Sequence, residues 1–198
     1  MKVISHRINT ISDLEQLSGI YGAEVDIRSA DSKLYIHHDP YVPGVDFEEW
    51  LDRYQHGTLI LNVKEDGLEE KLISLMESYS VTDFFFLDQS IPTTVRLAKE
   101  NETRLAIRYS EFESIETVKN FSGLADWVWV DCFNQFFLDI ESAQELKRLG
   151  FKLCLVSPEL QGRNDILELE KIKETILAWP ITIDAVCTKK VKFWYSLT

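Results

Sequence analysis

Residues Thr58 to Leu87 read TLILNVKEDGLEEKLISLMESYSVTDFFFL. The stretch opens with a strand-like run, Thr58 to Lys64, and passes through a helical run, Leu68 to Tyr79. It ends in a second strand-like run, Asp83 to Leu87. Strand, helix and strand within about 30 residues make one unit of a parallel sheet, because parallel neighbours need a crossover between them.

The unit recurs along the chain. On the N-terminal side, Val3 to His6 is a short apolar strand, followed by a helical stretch with Ser12 as its cap, Glu15 three residues later, and Leu14 and Leu17 on one face. Ala23 to Arg28 and Leu34 to His38 are strand-like, joined by a polar turn, Ser29-Ala30-Asp31-Ser32, and Phe47 to Tyr54 is a short helix. On the C-terminal side, strands at Arg104 to Tyr109, Trp127 to Cys132, Lys152 to Val156 and Ala185 to Thr188 alternate with helices. The helices are Thr93 to Lys99, Ser114 to Asn120, Ile140 to Leu149 and Ile166 to Leu177. With Leu34 to His38 set aside as an excursion, about eight repeats remain, which predicts an α/β chain closed into a compact (β/α)8 TIM barrel. An open doubly wound sheet is the rival, but no glycine-rich turn follows the first strand and the chain has only 8 glycines. Residues 1–198 read as one domain, short against the usual barrel of about 250 residues. Lys189 to Thr198 is left to supply the eighth outer element and reads as poorly helical.

The composition narrows the function. A 45% hydrophobic content supplies a core without a staple, and the odd count of three scattered cysteines suggests neither a disulfide framework nor a zinc site. Cys132, Cys154 and Cys187 read as small buried hydrophobes. The formal charge of −12 repels nucleic-acid phosphates and anionic lipid headgroups, so a phosphorylated substrate needs a local cationic pocket. The N-terminus runs straight into a strand pattern, and no apolar run is long enough to span a bilayer. A cytoplasmic location, without nucleic-acid partners or integral membrane association, is the expectation.

Barrel chemistry sits at the C-terminal ends of the strands. The first strand ends Ile4-Ser5-His6-Arg7. In Ala23-Glu24-Val25-Asp26-Ile27 the two carboxylates are two residues apart and share a face. Carboxylates on an apolar strand need hydrogen bonds or a cation, and their oxygens suit Mg2+ or Ca2+. In Leu59-Ile60-Leu61-Asn62-Val63-Lys64 the odd positions are apolar and face helices, which turns Asn62 and Lys64 into the barrel mouth. The same parity turns Leu105, Ile107 and Tyr109 outward and Arg108 inward. Of His37 and His38, adjacent in an extended run, only one can enter a shared site.

These motifs, His6-Arg7, Glu24-Val25-Asp26, His38-Asp39 and Asn62-Val63-Lys64, resemble in order and spacing the pattern of the glycerophosphodiester phosphodiesterases. The match covers roughly the first third of the chain. The resemblance implies a phosphodiester hydrolase acting on a glycerophosphodiester or related small phosphodiester. In it His6 and His38 are the acid–base pair, and Glu24, Asp26 and Asn62 hold Mg2+ or Ca2+. Beside them, the chemistry of a phosphoryl transition state asks for cations, which Arg7 and Lys64 supply, with Arg108, turned inward by parity, as a third candidate. The resemblance also selects His38 over His37. Three departures stand out. Ile8 replaces the usual glycine, the stretch after the first strand is contracted to Asn9-Thr10, and Asn62 replaces a third acidic ligand.

Other readings use the same residues. Glu24 and Asp26 can pair with Arg7 and Lys64 as a buried ion network with no metal. A family descendant can bind a phosphorylated ligand or partner without turnover, and a lyase of the sphingomyelinase D type shares the His, Glu, Asp and His set. Arg28, Glu65, His37 and His56 read as structural or solvated. Asp88, Glu111, Asp131 and Glu159 also lie near strand ends, unranked by the sequence. Phe84, Phe85, Phe86, Trp127 and Trp129 read as core and helix-facing packing.

Overall fold

A computed structural model describes residues 1–195. Eight parallel strands close into a barrel: β1 (Lys2–Ser5), β2 (Gly22–Ala30), β5 (Leu59–Val63), β6 (Phe84–Leu87), β7 (Ala106–Ser110), β8 (Trp127–Asp131), β9 (Lys152–Val156) and β10 (Ala185–Thr188). The last strand returns to the first, with Lys2 opposite Ala185 and Ser5 opposite Thr188. One seam is thin. Between β6 and β7 the ladder reduces to a bridge between Phe86 and Leu105 and a bond from the Phe86 N–H to the Arg104 carbonyl at 2.8 Å.

The excursion expected at Leu34 to His38 is an antiparallel extension of β2, made of β3 (Lys33–Ile36) and β4 (Val45–Asp46). Its turn is tighter than the sequence suggested. β2 runs through Ala30, which pairs with Lys33, so only Asp31 and Ser32 turn, both at positive φ (48° and 66°). A two-residue hairpin of this hand matches the strand twist.

The helices cover the outside: α1 (Ile11–Gln16), α2 (Phe47–Leu51), α3 (Glu69–Ser78), α4 (Ile91–Lys99), α5 (Ile115–Lys119), α6 (Ile140–Arg148), α7 (Ile166–Leu177) and α8 (Val191–Tyr195). The cap of α1 is Thr10, not Ser12. Its hydroxyl accepts from the Asp13 N–H at 3.0 Å and donates to the Asp13 carboxylate at 2.7 Å, closing the turn from both sides. The poorly helical tail forms α8 after all, because Trp194 is fully buried and donates its indole N–H to Ser157 at 2.9 Å. Residues 196–198 lie outside the described residues.

Strand parity divides the apolar residues into two cores. Val25, Leu59, Leu61, Val63, Leu105 and Ile107 pack outward under the helices, as the alternation predicts. Ile4, Ile60, Phe85, Trp127, Trp129, Cys154 and Cys187 fill the barrel interior. Phe84 and Phe86 do face helices, but Phe85, Trp127 and Trp129 do not. The run Phe84-Phe85-Phe86 is apolar at every position, so it carries no alternation from which to read a face. Phe85 stacks on Trp127 with ring centroids 4.5 Å apart. All three cysteines are free and buried.

The Phe85 ring plugs a barrel too small to collapse around a void. Phe85→Ala is expected to cost about 3–5 kcal/mol of unfolding free energy in urea titration, with the outward-facing site geometry retained.

Candidate active site at the barrel mouth

The mouth is built first from the turn after β1. Arg7 adopts φ 55°, which reverses the chain so that its backbone N–H donates to Glu24 Oε2 at 2.7 Å. The neighbouring Ile8 is not in the left-handed region, so no glycine is needed there. Its N–H donates to the Glu24 carbonyl at 2.8 Å, and its own carbonyl accepts from the Trp50 indole at 3.0 Å. Asn9 then clasps Asp26 on two sides. Its amide NH2 donates to Asp26 Oδ2 at 2.7 Å, and its oxygen accepts from the Asp26 N–H at 3.1 Å. Asn9 is a site residue that the motif reading passed over, and its place directly after the first strand end was the available signal.

Glu24 and Asp26 are both fully buried. The parallel register sets Asn62 opposite Asp26. The Asn62 amide donates to Glu24 Oε1 at 2.9 Å, and its oxygen accepts from Lys64 Nζ at 2.7 Å. A lysine ammonium only donates, so the Asn62 atom facing it must be the oxygen. Lys64 Nζ also lies 3.1 Å from Asp26 Oδ1, and the Arg7 guanidinium lies 3.7 Å from Asp26 Oδ2. Burial, reinforced by the Asp26 charge, pushes the Glu24 carboxyl up to about 7.

His6 sits over this pair, its Nε2 3.8 Å from Glu24 Oε2, and its Nδ1 is buried without a hydrogen-bond partner. Burial, and then the Arg7 charge, hold its imidazole down to about 4. His38 enters from the excursion loop. Its carbonyl is gripped by the Arg28 guanidinium at 2.9 and 3.2 Å, and its Nδ1 meets Asp39 Oδ1 at 2.7 Å. His37 turns instead to its own loop, Nδ1 3.0 Å from the Asp39 carbonyl. One cavity of about 210 Å³ is lined by His6, Arg7, His38, Asn62, Lys64 and Arg108, so these predicted residues converge above the buried Glu24 and Asp26.

The far wall was only partly legible. Arg108 does point inward, but its guanidinium is held by Asp88 and Asp131, with Glu113 3.7 Å from its Nε. Asp88 adopts φ 68° at the end of β6 and also lies 3.4 Å from Lys64 Nζ. Gln161, on a 3-10 turn at Pro158–Gln161, donates to Asp131 at 2.6 Å. That turn carries no strand or helix period in the sequence, so Gln161 had no signal. Glu159 does not line the cavity; its carboxylate is consumed by Ser157, Thr188 and the Lys189 N–H.

The donor set fits a divalent ion poorly. Among the described residues no three His, Cys, Asp or Glu side chains are arranged to hold one. The Asn62 oxygen faces an ammonium, and three of the four Glu24 and Asp26 oxygens accept hydrogen bonds from Arg7, Asn9 and Asn62. The fourth, Asp26 Oδ1, is buried without a hydrogen-bond partner and has the Lys64 ammonium 3.1 Å away as its counter-charge.

No protein-family model and no curated protein matches the chain. Solved structures do. A glycerophosphoryl diester phosphodiesterase of Parabacteroides distasonis is 13% identical, with 99% of this chain and 86% of that chain covered at a TM-score of 0.66. A glycerophosphodiester phosphodiesterase of Agrobacterium tumefaciens is 15% identical over 100% of this chain and 98% of that chain, with a TM-score of 0.64. A second Agrobacterium tumefaciens protein, described as a glycerophosphoryl diester phosphodiesterase, is 12% identical over 100% and 96%, at 0.73. From end to end the chain therefore has the barrel fold of the glycerophosphodiester phosphodiesterases.

The depressed His6 imidazole makes a pH prediction. A folded-state value of about 4 against 6.5 unfolded means that the unfolded chain takes up the proton first. The stability contribution is full above 6.5 and is lost as pH falls toward 4, by about 2–3 kcal/mol. His6→Gln should remove this loss in pH-dependent urea titrations, and the His6 ring proton resonance should titrate near 4.

Proposed function

We infer that the chain cleaves a small phosphodiester of the glycerophosphodiester type, with His6 and His38 moving the protons. The observation that carries this reading is the convergence of two differently held imidazoles with Arg7 and Lys64 on one cavity. His6 is neutral near pH 7 and accepts the proton of the attacking hydroxyl as its oxygen bonds to phosphorus. His38, its ring held through Nδ1 by Asp39 Oδ1 at 2.7 Å, gives a proton to the alkoxide as the P–O bond to it breaks.

Arg7 is partly exposed and holds Asp26 loosely, so its remaining N–H groups are available to the non-bridging oxygens, beside Lys64. A wider groove of about 730 Å³ shares Arg7 and His38 with the cavity and continues past Pro43 and Gly44. It offers room for the alcohol on one side of the phosphate. Together the cavity and the groove have the size for a small-molecule substrate. The clamped guanidinium of Arg108 favours a second reading, phosphate binding without turnover, because three carboxylates already occupy that cation.

Turnover of glycerophosphodiesters, assayed with EDTA, Mg2+ and Ca2+ in parallel, separates the readings. His6→Ala and His38→Ala should each lower kcat by about 10²-fold or more. Binding of the diester with no turnover above these variants in any of the three conditions favours the second.

A further inference from the structure

The mouth holds two fully buried carboxylates, and the charges that answer them are already present. Glu24 and Asp26 carry two negative charges if both are ionised. Lys64 and Arg7 carry two positive charges within 4 Å of Asp26. A divalent ion added here would leave the cluster with a net positive charge of two, and it would have to share the Asn62 oxygen with an ammonium 2.7 Å away. Like charges that close in a water-poor pocket repel strongly. We propose that the Lys64 ammonium takes the place of a divalent cation in this site, locked there by the Asn62 oxygen and Asp26, so that phosphate is held by protein cations alone. This rests on the reading of the mouth as a phosphoryl site.

The geometry supports the substitution in three ways. Lys64 is largely buried, and its ammonium sits between oxygens of two neighbouring strands, 3.1 Å from Asp26 Oδ1 and 2.7 Å from Asn62 Oδ1. Asn62 is what makes this possible. A neutral amide offers one donor to Glu24 and one acceptor to Lys64 at the same time, which a third carboxylate cannot do at Glu24 Oε1. In the third direction the ammonium meets Asp88 at 3.4 Å, a contact long enough to yield to a phosphoryl oxygen.

Calorimetry tests this without a turnover assay. Mg2+ and Ca2+ titrated separately into the wild-type protein should give no saturable heat at millimolar concentration, and binding of inorganic phosphate should be the same in EDTA as in either metal. Asn62→Glu alone should not create metal binding, because the new carboxylate pairs with Lys64. Asn62→Glu combined with Lys64→Met should bind Ca2+ about tenfold tighter or more than either single variant, as ligand charge rises and the resident cation leaves. Lys64→Met should also lower the melting temperature, with Ca2+ recovering part of the loss. Divalent binding by wild type that disappears in Glu24→Gln overturns the proposal, as does metal binding gained by Asn62→Glu alone. Phosphate binding that requires metal also overturns it, yet leaves the phosphoryl-site reading standing. Turnover by the histidines bears only on that reading.

Discussion

Two carboxyl groups with no solvent contact lie within β2, beside β5, and most of the mouth exists to compensate them. Removing an ion from water costs several kcal/mol even after relaxation, and breaking one partner of such a cluster leaves the charge stranded. The compensations come from two segments far apart in the sequence: the reversed backbone at Arg7 and the Asn9 side chain after β1, and the Asn62 amide and the Lys64 ammonium at the end of β5. Closing the barrel is what brings β1, β2 and β5 together, so the fold and the charge cluster specify each other.

The barrel was legible because alternation is strong where one side of a strand is polar. Leu59, Leu61 and Val63 declare the outer face, and Asn62 and Lys64 follow onto the inner one. Legibility failed where alternation is absent, as at Phe84-Phe85-Phe86, and where tertiary contacts decide, as the buried Trp194, the Lys173–Phe193 contact and the Tyr21–Tyr195 ring pair do for the last helix. In the site, the residues on strand ends were readable. Asn9 offered only its place after the first strand end, and Gln161 offered nothing, because each works from an irregular segment whose direction is set by distant contacts. The glycine expected after the His-Arg pair was also a matter of geometry. The strained position is Arg7 itself, one residue earlier, and Ile8 is free to be large.

The whole chain is strongly acidic, and the mouth matches its cations with carboxylates: Arg7 and Lys64 stand beside Asp26, and Arg108 is held by Asp88 and Asp131. Under the proposed function, an anion nearing this surface gains attraction only over the last few ångströms, where Arg7 and Lys64 line the cavity. On that reading the arrangement discriminates against long polyanions more severely than against a single phosphate group.

The thin seam of the barrel adds a mechanical side to the far wall. Asp88 ends β6 and Arg108 lies on β7, so their ion pair spans the pair of strands that share only one bridge. It acts as a buckle on the hoop where backbone stitching is sparse. Arg108 is thereby shared between shape and chemistry. High ionic strength, which weakens half-exposed ion pairs, loosens the hoop at the same point where it loosens the cavity wall. The site and the closure of the barrel are held by the same guanidinium.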